Sequence, residues 1–300
     1  MASEKLAKLL EPLSQTDSLR APRGSLPTMY DLPSEDPEEP GLPDEFHLLQ
    51  PQLLRETFRP ATYPPEQIFV GTDMNLYYTV NHPLWHKRPD WFVVLGVARW
   101  YAESELRLSY VIWQERVSPY LVVELLSPGT EAEDLGRIPY DIQQPPTKWM
   151  VYEQILQIPY YVVFSRHTGE LHYFVLQEGH YREVYPTDGR LRLPEAGLGI
   201  GLWQGPYEGL ERDWLRFCDA NGVWVPTPLE REQQHAEQER QRADQGWQQA
   251  EQERQRADQG WQQAEQERQR ADQGWQQAEQ ERQRAERLAA QLKARGIEPE

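Results

Sequence analysis

From Tyr63 to about Val225 the chain alternates short apolar runs with turn signals. The stretches QIFVGTDMNLYYTV, DWFVVLGVARW, LSYVIWQER, YLVVELLS, YYVVFSR, LHYFVLQ and YREVYPT are rich in aromatic and β-branched residues, and each is predicted as strand. Glycine permits positive φ, so the links His167-Thr-Gly-Glu170 and Gln177-Glu-Gly-His180 suit hairpin turns. In TKWMVYEQILQI, residues Trp149, Tyr152, Ile155, Leu156 and Ile158 recur near a period of 3.6, which predicts the one helix of this middle region. Further on, GLGIGLWQGPYEG and ERDWLRFCDANGVWVPTP read as a hairpin or cap on the same domain. Strands, a central helix and more strands predict an α/β (α+β) domain built on a mixed sheet.

The pattern changes after Val225. AEQERQRADQGWQQ occupies residues 236–249, 250–263 and 264–277 and begins again at Ala278, a period of 14. Fourteen residues are two heptads. With alanine at d, the a position alternates arginine and tryptophan from Arg240 and Trp247 to Arg268 and Trp275, a weak seam for a coiled coil. Gly246, Gly260 and Gly274 each cost about 1 kcal/mol relative to alanine in a helix. The expectation is a long helix or coiled coil over 226–300, with tryptophan at each repeat inviting burial against a partner.

Ahead of the apolar region, APRGSLPTMYDLPSEDPEEPGLPDE is dense in proline and acid, so residues 1–60 are read as a largely disordered leader. Within it, FHLLQPQLLRETFRP is a candidate short helix against the core. The domain proper is placed at 61–225.

Charge and cysteine usage narrow the function classes. The formal net charge is −17, and acid exceeds base in leader, middle and tail alike. No lysine and arginine stripe of the kind that coats phosphate backbones is visible, although metal-binding carboxylates would add to such an acidic balance. A single cysteine, Cys218, excludes an internal disulfide framework and a cysteine-rich zinc site, and it reads as a small apolar side chain. With no signal peptide or membrane-spanning run in the sequence, a cytoplasmic protein with no membrane partner is expected.

One polar residue interrupts the apolar runs. In PYLVVELLSPGT, Glu124 stands among Leu121, Val122, Val123, Leu125 and Leu126, where a carboxylate is costly without a cation or strong donors. Upstream, KRPDWFVVLGV puts Asp90 at the mouth of another apolar strand, after a proline that favours extended backbone. Neighbouring strands could aim both carboxylates at one point, and two carboxylates plus water suit magnesium. Between Lys87 and Lys293 the only lysine is Lys148, at the start of the predicted helix. It is the candidate for orienting a nucleophile and balancing charge on a phosphate. Ser127 reads as a turn residue with Pro128 and Gly129, His82 and His86 as loop residues, and Tyr152, Tyr160 and Tyr161 as packing residues.

The order PD, apolar strand, VVELLSPGT with ED following, then lysine opening KWMVYEQILQIPYYVVF, resembles the bacterial Uma-two family of restriction-endonuclease-like proteins, within the PD-(D/E)XK nuclease superfamily. The resemblance implies a mixed central sheet flanked by helices and a Mg2+ (or Mn2+) site that hydrolyses DNA. It carries Asp90 and Glu124 over as metal ligands and catalytic residues, and Asp134 as a supporting acidic position. In the superfamily pattern a lysine stands two residues after the strand carboxylate, where this chain has Leu126. The family resemblance nominates Lys148 in its place. A different class of function is also open: an inactive nuclease-fold interaction protein that homo-oligomerises or docks a partner through its C-terminal helix.

Overall fold

The structure, a computed structural model, describes residues 44–102, 104–126, 131–138 and 144–295. The leader's expected disorder, for residues 1–43, and the Ser127 turn lie outside the described residues. The chain divides into two units, Met1–Pro228 and Leu229–Glu300.

In the first unit the chain runs through α1 (Glu45–Thr57), β1 (Ile68–Thr72), β2 (Leu76–Tyr77), β3 (His86–Lys87), β4 (Trp91–Leu95), β5 (Tyr110–Val111), α2 (Ile112–Glu115) and β6 (Leu121–Leu125). It continues with α3 (Glu131–Asp134), α4 (Lys148–Met150), a π-helical turn (Val151–Ile155), β7 (Tyr160–Phe164), β8 (Leu171–Gln177), β9 (His180–Val184), β10 (Arg190–Leu193), β11 (Leu198–Tyr207) and β12 (Leu210–Asp219).

The central sheet has six strands in the order β1-β4-β6-β7-β8-β9. Its β6–β7 pair is parallel and its other pairs are antiparallel, so the sheet is mixed, as the sequence pattern predicts. Because side chains alternate across a strand, each central strand feeds two cores. Leu121, Val123 and Leu125 join Trp91, Val93, Val162 and Phe164 on one face, covered by Phe46, Leu53 and Leu54 of α1, by Phe58 just after it, and by the β10-β11-β12 sheet. Val122 and Leu126 join Phe92, Val94, Tyr161 and Val163 on the other, covered by Val151, Tyr152, Leu156 and Ile158 and by the small β3-β2-β5 sheet. Helices thus flank both faces, each accompanied by a small sheet.

Helix α1 forms where a short helix was expected, N-capped by the Asp44 side chain. Its apolar face is part of the core, so the folded unit begins ahead of residue 61. The predicted hairpin turn after β8 has Glu178 at φ 51° and Gly179 at φ 80°, the two left-handed residues of a tight hairpin. The hairpin β11–β12 forms across ten residue pairs from Leu198↔Asp219 to Tyr207↔Leu210.

Two readings need correction. LSYVIWQER gives only a two-residue strand before turning into α2. The helix expected over TKWMVYEQILQI is a single α turn that widens: the Leu156 amide donates to the Val151 carbonyl at 2.8 Å, five residues back, and Gln157 ends the element at φ 50°. Widening keeps Val151, Tyr152 and Leu156 inward and leaves Ile155, which the 3.6 pattern had placed inside, 44% exposed.

In the second unit the repeats form one helix, α5 (Pro228–Ala294), without a buried residue. Trp247, Trp261 and Trp275 are 79%, 78% and 76% exposed.

Candidate active site

Glu124 lies on the β6 face that carries Val122 and Leu126, and it is fully buried. The β4–β6 register pairs Trp91 with Val123, so Asp90, one step outward, stands opposite Glu124. The two residues tie the strand ends reciprocally. The Asp90 amide donates to Glu124 Oε2 at 3.3 Å, and the Leu125 amide donates to Asp90 Oδ2 at 2.6 Å.

Lys148 arrives from the other side of this face. Thr147 caps α4 by accepting from the Met150 amide, which fixes Lys148 as the first helical residue. A lysine there runs against the helix dipole, which favours acids in the first turn. Carboxylates supply the compensation: Lys148 Nζ donates to Glu124 Oε2 at 3.1 Å and forms an ion pair with Asp134 Oδ1 at 2.9 Å. Asp134 is 1% exposed, and its Oδ1 accepts no aligned hydrogen bond. Helix α3, which carries it, is held in place twice. The Tyr161 hydroxyl donates to the Asp134 carbonyl at 2.9 Å, and Glu133 Oε1 accepts from Lys87 Nζ at 2.9 Å and from the Lys148 amide at 3.0 Å.

The site residues nominated from the sequence, Asp90, Glu124, Asp134 and Lys148, therefore meet. Leu126, where the superfamily pattern has lysine, is instead buried in the core on the Glu124 face. Glu66, a nearby acidic residue on the turn before β1, is exposed and lies outside the cluster. His82 stacks on Trp85 at 3.7 Å between centroids and His86 sits in β3; neither joins the cluster.

Sequence reasoning missed two participants. Tyr152, assigned to packing, does pack, but its hydroxyl also donates to Glu124 Oε1 at 2.8 Å. The signal was the spacing of four from Lys148, which sets both side chains on one helical face. His47 of α1 bonds the Leu125 carbonyl through Nε2 at 3.0 Å and Asp44 Oδ1 through Nδ1 at 2.9 Å. Both partners are acceptors, so both ring nitrogens carry protons. Arg166 pairs with the same Asp44. The DEFH spacing, acid three residues before histidine at a helix start, was the available signal.

The titration behaviour reflects crowded negative charge. Burial raises the pKa of Glu124 well above the carboxylate range; Asp90 and Asp134 push the same way, and Lys148 and Tyr152 oppose them only in part. Burial likewise raises Asp90 against the pull of Lys148, the Leu125 amide and His47. Burial disfavours the Lys148 ammonium, yet Glu124, Asp134 and Asp90 outweigh it and raise its pKa. For His47, burial is also outweighed, by Asp44 and by the Asp90 charge, so the ring is held above its ordinary value.

Three carboxylates around one ammonium, which pairs with Glu124 and Asp134, leave a formal surplus of two negative charges. The donor set is all oxygen. These features fit a divalent cation of the magnesium or manganese type, with water completing its ligation. Among the described residues, no three His, Cys, Asp or Glu side chains enclose a metal position by themselves.

The sequence pattern of the Uma2 family, described as "Putative restriction endonuclease", matches residues 24–210. No curated protein matches the chain. Among solved structures, the chain is similar to a crystal structure titled "a putative nuclease belonging to DUF820" from Anabaena variabilis ATCC 29413. The two share 10% identity over 62% of this chain and 92% of that one, with a TM-score of 0.38.

Proposed function

The chain belongs to the Uma2 family, and from that premise we propose that its folded unit is a metal-dependent endonuclease acting on DNA phosphodiester bonds at Asp90, Glu124 and Lys148. The observation that carries the reading is the surplus of carboxylate over ammonium in a buried cluster at the ends of β4 and β6. An isolated structural glutamate would have neither an aspartate opposite it nor a lysine reaching it from another element.

In this mechanism Asp90 and Glu124 hold the ion, Mg2+ or Mn2+. When bound, it supplies Lewis acidity toward a phosphoryl oxygen and lowers the pKa of a bound water. Glu124 is closed to solvent, whereas Asp90 is half-buried and the Lys148 side chain is 17% exposed, so substrate approaches from the side of these two. The Lys148 ammonium orients the attacking water and offsets negative charge gathering on the phosphate. Asp134 keeps that ammonium aimed at the site, and Tyr152 fixes the Glu124 carboxylate through its second oxygen.

Nicking of supercoiled plasmid with Mg2+ or Mn2+ tests the reading. Wild type converts the plasmid, and Glu124→Gln and Lys148→Met lose the activity while retaining their fold by circular dichroism. Equal cleavage by Glu124→Gln, or none by wild type with either ion on any DNA offered, removes the catalytic claim.

The exposed tryptophans of α5 favour a second role beside the first, assembly of the chain through its tail. Sedimentation of the full chain and of a chain ending at residue 228 reads it directly. A difference in oligomeric state supports assembly, and two monomers refute it.

A further inference from the structure

At the far end of β4 from Asp90, a cleft of about 430 Å³ opens between the C-terminal end of α1, the turn before β1 and the segment after β4. From Asp90 to Leu95 the strand spans roughly 17 Å at 3.3 Å per residue, so the cleft and the carboxylate cluster are separate places. Its lining includes Arg55, Arg59 and Arg99 beside the rings of Phe58 and Tyr63.

The chemistry of this cleft is opposite to that of the molecule around it. The chain carries a net −17, and its overall field repels anions. Here three arginines line one cleft. Arg59 Nη1 donates to the Arg55 and Phe58 carbonyls at 2.8 and 2.9 Å, which folds its side chain back over the end of α1. The Arg99 backbone is pinned by its amide, which donates to the Glu66 carbonyl at 2.7 Å, and by its carbonyl, which accepts from Arg107 Nη1 at 3.0 Å. Among the described residues, no carboxylate forms an ion pair with Arg55 or Arg99. Burial lowers the Arg55 pKa, and the neighbouring charge that acts on it is Arg99, of like sign. Two like charges held near each other cost free energy that a bound anion would recover.

We propose that this cleft is a phosphate-binding site, in which Arg55 and Arg99 grip a phosphate while Tyr63 and Ile68 offer apolar surface to the group that carries it. Guanidinium matches phosphate geometry in bidentate fashion, and the volume lies within the range of small-ligand pockets. The phosphate belongs either to a free nucleotide or to a DNA strand. The proposal does not depend on the nuclease reading, because no residue of the cleft belongs to the carboxylate cluster.

Calorimetric titration of the full chain with inorganic phosphate and with a nucleoside monophosphate tests it. Concentrations up to about 10 mM register a Kd near 1 mM. Nucleotide binding is expected, with affinity at least about tenfold weaker in Arg55→Gln and in Arg99→Gln, each removing charge-assisted hydrogen bonds. Glu124→Gln should bind as wild type does. Competition by a short duplex then identifies the source: displacement assigns the cleft to backbone phosphate, and persistence assigns it to the free nucleotide. No heat with phosphate or nucleotide, or equal binding by folded Arg55→Gln and Arg99→Gln, overturns the proposal. Loss of nucleotide binding in Glu124→Gln would place the bound phosphate in the carboxylate cluster instead, and overturn it equally.

Discussion

Lys148→Met is the substitution whose consequence the geometry fixes most closely. It keeps a long unbranched side chain but removes the ammonium 3.1 Å from Glu124 and 2.9 Å from Asp134. Glu124 is fully buried and Asp134 nearly so, so neither carboxylate can recover the loss from water. Breaking a buried pair by deleting one partner costs about 3–5 kcal/mol. A folded unit of this size loses roughly 2–4 °C per kcal/mol, which predicts a melting temperature about 6–20 °C lower near pH 7.5 without divalent metal. The deficit should shrink with acid, and the sign follows from Glu124. Burial raises its pKa above the unfolded value, so its contribution to stability is fully present below the unfolded pKa of about 4.3 and is lost as pH rises through the folded value. Without Lys148 that folded value rises further, so on acidification from pH 7.5 to pH 5 protonation of the carboxyl makes the absent cation matter less. His47, also raised, contributes with the same sign in both proteins and cancels in the difference. Scanning calorimetry of wild type and variant at the two pH values reads this directly. A deficit independent of pH, or one under about 2 °C at pH 7.5, would refute the ion-pair account of the cluster.

Three further expectations concern single contacts. Tyr152→Phe removes the donor to Glu124 Oε1 and leaves that oxygen buried, so it should cost about 1–3 kcal/mol in calorimetry and weaken Mn2+ binding measured by titration. Gly71→Ala should destabilise by about 1–3 kcal/mol in denaturant unfolding, because a Cβ there would stand 2.2 Å from the Phe92 ring on the paired strand. Replacing Gly246, Gly260 and Gly274 by alanine meets nothing within 4 Å; each should add about 1 kcal/mol to the helix and raise the melting of its far-UV signal, and an unchanged melt would contradict the continuous helix.

Much of this architecture was legible in the sequence, for physical reasons that differ by element. The central strands are written in apolar runs because both faces of the sheet are covered, and the tail helix in a 14-residue repeat because nothing interrupts its period. Strand β10 escaped notice: RLRL alternates charged and apolar residues over four positions, too short a run to stand out between Gly189 and Pro194. The π turn was invisible because the 3.6 pattern fits its inward residues except Ile155. At the site, Glu124 announced itself by the cost of its burial, and Lys148 by its scarcity. Their three-way meeting with Asp134 depends on how α3 is pinned by Tyr161 and Glu133, contacts between residues far apart in the chain. His47 carried almost no signal, since its partners are a backbone carbonyl and the cap of its own helix.

The central claim is that Asp90 and Glu124 hold a divalent cation beside Lys148. Anomalous diffraction from crystals of the full chain soaked in Mn2+ tests it most directly. The account predicts one strong peak within coordination distance of both carboxylates, absent in Glu124→Gln crystals. A peak only at other carboxylates, or none with the cluster open to solvent, would contradict it.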